Sequence, residues 1–179
     1  MVKKALVISD THGSVESFEK IIDLTGDIDF IIHAGDYLYH GPRNRIPRGY
    51  NPAKLAESFK LFGDRLIGVK GNCDAEIDFM LMGVSELPAI RFINLNSKKL
   101  LVFHGHKPVE SEDAVIIIKG HTHIHELCTY KNRIIMNPGS PSLPKDGTPG
   151  TFGVIEFGDT VSLYIRDLNG RLIKKEGFK

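Results

Sequence analysis

The sequence predicts a fold of mixed α and β type, with strands and helices alternating in the first half and mostly antiparallel strands in the second. Three features predict it: short apolar runs rich in β-branched residues, two helical patterns within the first 62 residues, and tight-turn sequences after about residue 125. The chain has 179 residues, enough for one domain with a substantial core, and no repeat or linker divides it. We therefore expect a single domain over residues 1–179, which could contain two packed sheets.

Five apolar runs predict buried strands, because apolar residues on consecutive positions are typical of strands that are covered on both faces. They are residues 5–9, 30–34, 66–70, 100–103 and 115–119. In the second half, Lys131-Asn132 and Asn169-Gly170 predict the turns of two hairpins, since Asn and Gly accept the left-handed backbone of tight turns.

Two stretches predict helices, residues 14–24 and 51–62, because their apolar residues recur at helical spacing. Ser14 is suited to cap the first helix through its hydroxyl oxygen. Asn51 is suited to cap the second, with Pro52 at the first helical position, where its missing N–H costs nothing.

The composition is that of an ordinary globular protein, and a formal net charge of +1 gives no global attraction to nucleic acid or to acidic membranes. Cys73 and Cys128 form no C-x-x-C pair, which favours reduced thiols over a disulfide framework. The apolar run after Lys3-Lys4 is about five residues, too short for a signal peptide, and no stretch is long enough to span a membrane. We expect a cytoplasmic protein.

Polar side chains follow every one of the five predicted buried strands, and four of these blocks have a glycine at or beside the polar group. The blocks are Asp10-Thr11-His12, Gly35-Asp36, Gly71-Asn72-Cys73-Asp74, His104-Gly105-His106 and Gly120-His121-Thr122-His123. Functional groups of open α/β sheets gather at the carboxyl ends of the strands, so these side chains can converge. Carboxylates, imidazoles and an amide suit first-row metals such as Mn, Fe or Zn, and the sequence therefore predicts a metal site.

The blocks DTHG, GD, GNCD, HGH and GHTH, in that order, resemble the calcineurin-like metallophosphoesterase superfamily. The stretch HGPRNRIPRGYNPAKLAESF and the later NPGS are similar to its small single-domain bacterial phosphodiesterases. This resemblance implies a four-layer αββα sandwich, in which two mixed sheets are flanked by helices and a dinuclear metal site lies at the strand ends. It also implies two divalent ions as cofactors, with Mn²⁺ expected and Fe, Ni or Zn as alternatives.

Seven side chains match the ligand positions of that superfamily: Asp10, His12, Asp36, Asn72, His104, His121 and His123. The resemblance implies that Asp10, His12 and His123 hold the first ion. It implies that Asn72, His104 and His121 hold the second ion, and that Asp36 bridges the two. His125 continues the alternation of His121 and His123 but has no counterpart in the motif, so we expect a structural role for it.

The charge of such a cluster predicts its chemistry. Two divalent ions, two carboxylates and one bridging hydroxide leave a small positive charge, which suits an anionic phosphate ester. Paired ions can also activate the bridging hydroxide for in-line attack on phosphorus. On this reading Asp36, Asn72 and His104 take part in catalysis as well as in metal binding.

Five residues are predicted to contact substrate: His40, Arg43, Arg45, Cys73 and His106. The arginines could equally be solvated charges of a loop, and Cys73 could be a small packed residue. Most superfamily members carry His at the position of Cys73, where it is thought to protonate the leaving oxygen. We therefore expect the metals to carry most of the catalysis here, and Asp74 only to brace its loop. His33, by contrast, is expected to be a satisfied core residue.

The function that these features favour is hydrolysis of a small phosphodiester. A phosphomonoesterase or pyrophosphatase could use the same site, and a binding scaffold is a third class, since a retromer coat subunit resembles this fold and acts by protein contacts. The full set of expected ligands favours an enzyme. We expect no membrane partner and nucleic acid only as a substrate, while a homo-oligomer is compatible with the resemblance.

Overall fold

The computed structural model describes residues 3–109 and 111–178, and these residues form two β-sheets and three α-helices. The helices are α1 (Val15–Thr25), α2 (Pro52–Lys60) and α3 (Glu76–Leu81). The strands are β1 (Lys3–Ile8), β2 (Phe30–His33), β3 (Leu66–Gly68), β4 (Ile90–Leu95), β5 (Lys98–Phe103), β6 (Ile116–Ile118), β7 (Glu126–Tyr130), β8 (Arg133–Asn137), β9 (Thr151–Phe157), β10 (Val161–Asp167) and β11 (Leu172–Phe178).

Both sheets are mixed. The first has the order β11-β10-β9-β1-β2-β3, in which β1, β2 and β3 are parallel and β9, β10 and β11 add antiparallel partners. The second has the order β4-β5-β6-β8-β7, with β5, β6 and β8 parallel and the two edge strands antiparallel. The prediction of two packed mixed sheets flanked by helices is confirmed.

The main hydrophobic core lies between the two sheets. Alternate residues of β1 divide between two environments: Ala5 and Val7 face this core, whereas Leu6 and Ile8 face the helices. All four side chains are completely buried. This double burial explains why the strand is apolar at consecutive positions rather than at every second one.

The helices pack on the outer face of the first sheet, and their predicted caps are confirmed. The Ser14 hydroxyl accepts the Ser17 N–H at 3.3 Å, and the Asn51 side-chain oxygen accepts the Lys54 N–H at 3.1 Å. Phe18 of α1 and Phe59 of α2 then meet edge to face, with ring centroids 4.9 Å apart.

The outer face of the second sheet is covered differently. The segment between β5 and β6 folds over Leu101 and Phe103, and no helix lies on this face among residues 3–109 and 111–178. Phe92, opposite Leu101 in the pairing of β4 with β5, keeps half of its surface exposed. The helices therefore cover the outer face of the first sheet and leave that of the second to the segment between β5 and β6.

Both predicted hairpin turns are present. Lys131 and Asn132 have φ of 47° and 61° between β7 and β8, and Gly170 has φ of 81° between β10 and β11. In the part of the chain that the structure describes, each helix is too short or too polar to cross a membrane.

Candidate metal centre

The polar residues that follow β1, β2, β3, β5 and β6 meet at one edge of the molecule, where the carboxyl ends of parallel strands from both sheets come together. Three groups of side chains there have ligand atoms within 4.8 Å of one another: Asp10 with His12 and His123, Asp10 with Asp36 and His104, and His12 with Asp36 and Cys73. The predicted convergence of these blocks is confirmed.

The first group joins the two sheets. His12 follows β1 and His123 follows β6, yet their Nε2 atoms are 3.2 Å apart. Asp10 Oδ1 lies 3.3 Å from His123 Nε2 and 3.8 Å from His12 Nε2. Three potential ligand atoms thus surround one small volume.

The second group lies beside the first. Asp36 Oδ2 is 3.3 Å from His104 Nε2 and 3.8 Å from His12 Nε2, so this carboxylate stands between the two groups. Asn72 Oδ1 lies 3.1 Å from His104 Nε2. The His121 ring is 5.2 Å from the His104 ring, centroid to centroid, at the outer side of this group.

The protonation of the histidines follows from their other ring nitrogen. Nδ1 of His12, His104 and His123 lies 2.7 Å from the backbone carbonyl oxygens of Tyr39, Ala34 and Leu143, respectively. A carbonyl oxygen can only accept, so each Nδ1 carries a proton, and Nε2 is the nitrogen that each ring presents to the centre. The Nε2 atoms of His12 and His123 face each other at 3.2 Å, and a metal ion between them would bind both nitrogens.

One carboxylate oxygen supports the same conclusion. Asp10 Oδ2 accepts hydrogen bonds from the Ser9 hydroxyl at 2.6 Å and the His121 N–H at 2.9 Å. Asp10 Oδ1 is buried and has no hydrogen-bond partner among the described residues. A buried anionic oxygen without a partner is costly unless a cation neutralises it, so the donor set fits a metal ion.

The two carboxylates make this a site that attracts positive charge. Burial raises the pKa of both carboxyls, but His123 beside Asp10 and His104 beside Asp36 outweigh it and hold each pKa below its ordinary value. Burial likewise lowers the pKa of His104, yet Asp36 and Asp10 overcome this and raise it to about 9. Buried carboxylates that draw a proton onto a neighbouring imidazole can hold a metal ion instead.

Glycines let the ends of these strands approach one another closely. A Cβ at Gly71 would collide with the Asp36 carboxylate, and a Cβ at Gly120 would collide with the Ser9 hydroxyl and crowd Asp10. The glycine beside a polar residue, which the sequence shows repeatedly, thus has a steric reason at these two positions.

Asp74 and Cys73 have separate roles. The Asp74 carboxylate accepts the N–H groups of Asp36, Tyr37 and Gly71 at 2.7–2.9 Å, which braces the loop that presents Asp36. Burial, together with Asp36, raises the pKa of Asp74 to about 7. Burial and the Asp36 carboxylate raise the pKa of the Cys73 thiol to about 12, so Cys73 is a neutral thiol at the edge of the centre.

An open cavity of about 760 Å³ lies over the centre. Its walls include Asp36, Asn72, Cys73, His121 and His123, and Arg43 and Lys145 add positive charge. Two predicted contacts, Arg43 and Cys73, therefore border the cavity.

The other predicted substrate contacts lie outside the described lining of that cavity. His40 packs its ring against Tyr39 and Tyr50, with centroids 4.8 and 5.4 Å apart. Arg45 borders a separate cleft, and His106 lies on the surface beside His104. Contact of these three residues with substrate stays a prediction.

His33 is a core residue, as the sequence interpretation held. It is completely buried, its Nε2 is 3.0 Å from the Thr11 hydroxyl, and its Nδ1 accepts the Gly35 N–H at 3.1 Å. Burial lowers its pKa to about 3, so the ring is neutral and supports the loop before Asp36.

Sequence reasoning missed the contribution of the segment from residue 140 to 148. The Ser140 hydroxyl donates to the Asp10 carbonyl at 2.7 Å, and the Lys145 N–H donates to the His123 carbonyl at 3.1 Å. His125 Nδ1 lies 2.6 Å from the Asp146 carboxylate, which gives His125 its structural role. The NPGS block was a signal for the first of these contacts, whereas nothing near Lys145 pointed to the cavity.

Comparisons with known proteins agree with this geometry. A family model described as the calcineurin-like phosphoesterase superfamily domain matches residues 4–160. The phosphodiesterase YfcE of Escherichia coli K12 is 35% identical over 162 residues, which cover 86% of this chain and 87% of that protein.

Solved structures agree in the fold. A structure of the Escherichia coli phosphoesterase YfcE superposes with a TM-score of 0.86 at 31% identity, covering 97% of this chain and 98% of that one. The vacuolar protein sorting 29 protein of Cryptosporidium parvum superposes with a TM-score of 0.69 at 19% identity, covering 99% and 98% of the two chains, which is a likeness of fold alone.

Proposed function

This chain belongs to the calcineurin-like phosphoesterase superfamily, and from that premise we propose that it is a metal-dependent phosphodiesterase. The observation that carries the proposal is the pair of Nε2 atoms of His12 and His123, 3.2 Å apart beside the buried Asp10 Oδ1, which accepts no hydrogen bond from the described residues. A cation at this point would neutralise the carboxylate and bind both ring nitrogens, and metal ions at such a site can activate water against phosphate esters.

The proposed ligands form two sets that share one carboxylate. Asp10, His12 and His123 hold one ion, Asn72, His104 and His121 hold the other, and Asp36 contributes to both. The position of Asp36 Oδ2, 3.3 Å from His104 Nε2 and 3.8 Å from His12 Nε2, supports the shared role. For His121, the support is its place beside the His104 ring and in the cavity wall.

When bound, two divalent ions supply a nucleophile at neutral pH and a clamp for the attacking and leaving oxygens of an in-line displacement. The chain's own residues do the rest. Asp10 and Asp36 provide the negative charge that retains the cations, and Nδ1 protons held by backbone carbonyls keep the three imidazoles oriented. Asp74 fixes the loop of Asp36 through three N–H groups.

Phosphate binding is assigned to the positive side chains of the cavity wall. Arg43 and Lys145 border it from two different segments, and neither forms a described salt bridge. A guanidinium and an ammonium on the wall would neutralise the non-bridging oxygens of the ester. The neutral Cys73 thiol contributes no charge to this wall.

Manganese is the proposed metal, with Fe, Ni and Zn as alternatives, because a set of imidazole, carboxylate and amide donors accepts each of them. A cytoplasmic location is likewise proposed, on the ground that Cys73 and Cys128 are both free thiols. The proposed substrate is a small phosphodiester.

The function is tested by turnover of bis(4-nitrophenyl) phosphate and of 4-nitrophenyl phosphate after reconstitution with each of the four metals. We expect metal-dependent hydrolysis, with the diester preferred over the monoester. Asp36→Asn should abolish most of it, while Asp27→Asn, which changes an exposed carboxylate, serves as the matched control. Preference for the monoester would favour a phosphomonoesterase, and failure of every metal to support turnover would refute the enzyme.

A further inference from the structure

A second cavity, about 380 Å³ in volume, adjoins the one over the metal centre. Tyr39 and Cys73 belong to the walls of both cavities, so the two adjoin at these side chains. The remaining wall is mainly apolar and is formed by Tyr50, Pro52 and α3, including Ile77 and Leu81. We call this second cavity the apolar groove.

The groove exposes apolar surface that folding alone does not require. Tyr39, Ile77 and Leu81 keep 41%, 58% and 51% of their surface exposed, respectively. Ile77 and Leu81 are four positions apart on α3, so both side chains lie on one face of the helix. The acidic residue of the wall, Asp78, accepts the Ala75 N–H at 2.9 Å and thereby stabilises the N-terminus of that helix. Clustered exposed apolar residues of this kind mark ligand or partner sites.

The groove begins one side chain away from the metal centre. The Cys73 N–H donates to Asp36 Oδ1 at 2.8 Å, and Cys73 Sγ lies within 4.8 Å of ligand atoms of both His12 and Asp36. A phosphate bound by metal ions beside Asp36 would therefore lie near the Cys73 thiol, and a substituent that passes the thiol would enter the groove.

The walls of the groove favour a flat ring. His40 stands edge-on to both Tyr39 and Tyr50, with interplanar angles of 64° and 89°, and this contact ties the two tyrosines into one aromatic wall. Ile77 and Leu81 provide an aliphatic surface in the same groove. Aromatic rings gain most from a wall of this kind, because stacking and edge contacts add to the burial of apolar area.

We infer that the apolar groove is the binding site for one ester arm of the substrate, and that this arm carries an aromatic ring. The inference rests on the proposed function, since it makes the substrate a phosphodiester with at least one aromatic arm. An aryl group and a nucleobase share the flat ring that the groove recognises.

The test compares inhibition by diesters that differ in a single arm: dimethyl, methyl cyclohexyl, methyl phenyl and thymidine 5′-methyl phosphate. Each competes with bis(4-nitrophenyl) phosphate on the Mn²⁺-loaded enzyme. We expect methyl phenyl phosphate to bind about tenfold more tightly than dimethyl phosphate, from partial burial of one ring. Methyl cyclohexyl phosphate should fall between them, and equal binding of cyclohexyl and phenyl would overturn the aromatic assignment. Tighter binding of the thymidine ester than of the phenyl ester would identify the ring as a nucleobase, and the reverse would identify it as an aryl group.

Substitutions in the groove test whether the aromatic arm binds there. Ile77→Ser and Leu81→Ser should bring the ratio of dimethyl to methyl phenyl inhibition constants close to one. Phe92→Ser removes an apolar side chain of similar exposure on β4, which is not part of the groove wall, and should keep the wild-type ratio. An unchanged ratio in both groove variants would overturn the inference.

A binding measurement separates this inference from the proposed function. The ¹³C-labelled methyl groups of Ile77 should shift in the NMR spectrum on titration with methyl phenyl phosphate and not with dimethyl phosphate. If the protein hydrolyses no ester but Ile77 shifts in this way, the groove assignment is supported and the proposed enzymatic function is refuted. If hydrolysis occurs and the Ile77 signals respond equally to both esters or to neither, the proposed enzymatic function is supported and the groove assignment is wrong.

Discussion

At the scale of single residues, the centre depends on backbone conformations that most side chains avoid. Asp10, His12, Asp36, His121 and His123 all have positive φ, between 45° and 71°. Each such conformation costs on the order of 1 kcal/mol for a residue with a Cβ. Five of them at one site indicate that the surrounding structure holds these residues where the proposed metal chemistry needs them, at the expense of stability.

The shared carboxylate gives the first prediction. Asp36→Asn removes a negative charge that serves both proposed ions, so activity should fall by more than the roughly 10–100-fold that loss of a supporting residue costs. Metal content, measured by plasma emission, should fall with it. His125→Ala is the comparison, since His125 contacts Asp146 rather than the centre, and it should keep both ions and lose less activity. Two bound ions and full activity in Asp36→Asn would disprove the bridging role.

Cys73 gives the second prediction. Its thiol is neutral at the edge of the centre, with a pKa raised to about 12 by burial and by Asp36, which makes it a poor proton donor. Cys73→Ala should therefore lose much less than the roughly 10²–10⁴-fold contribution of a general acid. Without such an acid, rates should depend steeply on leaving-group acidity, with aryl esters cleaved far faster than alkyl esters. A hundredfold loss in Cys73→Ala with both metals retained would make the thiol a participant.

At the scale of elements, two loops shape the approach to the centre. The loop from His40 to Tyr50 brings Arg43 to the cavity and turns Arg45 into another cleft, beside Lys20 and Arg48. The segment from residue 140 to 148 bonds to the Asp10 carbonyl through Ser140, to His123 through Lys145 and to His125 through Asp146. Neither loop contains a proposed metal ligand, so substitutions in either loop can change substrate contacts without altering metal binding.

The first loop gives the third prediction. Arg43→Ala should raise KM for a diester about tenfold, which corresponds to one lost charge-assisted contact, while metal content stays constant. Arg45→Ala removes the same charge from the neighbouring cleft and should change KM less. Equal KM values for Arg43→Ala, Arg45→Ala and the wild type would show that the loop does not contact substrate.

The second loop gives a prediction about pH. Burial raises the pKa of Asp146, but the Thr148 hydroxyl and His125 outweigh it and lower the pKa to about 2. A carboxyl with a depressed pKa in the folded state stabilises the protein above its ordinary pKa of about 4, and this contribution is lost as the pH falls toward the folded value. Asp146→Asn should therefore unfold more easily in urea at pH 7 and converge with the wild type near pH 2. Metal-free protein and the exposed Asp27→Asn variant provide the controls, and parallel curves for Asp146→Asn and wild type across this range would refute the assignment.

At the scale of the whole molecule, the proposed ligands come from both sheets. Asp10, His12 and Asp36 follow strands of the first sheet, and His104 and His123 follow strands of the second. A metal ion at this edge would connect the two sheets at one end of the core.

This connection predicts that Mn²⁺ raises thermal stability. A ligand that binds only the folded state at a hundred times its Kd adds about 2.7 kcal/mol, or roughly 5–10 °C in Tm for a chain of this size. Scanning calorimetry with increasing Mn²⁺ should show the rise, and chelation should reverse it. Asp36→Asn should show a smaller rise, and a constant Tm despite bound metal would mean that the metal does not prefer the folded chain, which would contradict a site assembled from both sheets.

The sequence predicted the five strand ends well, because each combines an apolar run with polar residues, and four have a glycine beside them, of which Gly71 lacks the space for a Cβ. It did not predict α3 or β4. α3 has six residues, of which Ile77, Met80 and Leu81 are exposed, so its apolar pattern does not follow burial. The approach of Lys145 to His123 depends on a hydrogen bond between distant segments, which no local pattern encodes.

The separation of the proposed ligands along the chain also bears on the order of folding events. His12 and His123 are 111 positions apart, and β6, which precedes His123, reaches the first sheet only when the second sheet has docked. Pairings of such long range form late, because closing large loops costs entropy before contacts repay it. A metal ion held by these residues would therefore bind only after the two sheets have docked, and the rate at which added metal becomes tightly bound would report on that docking.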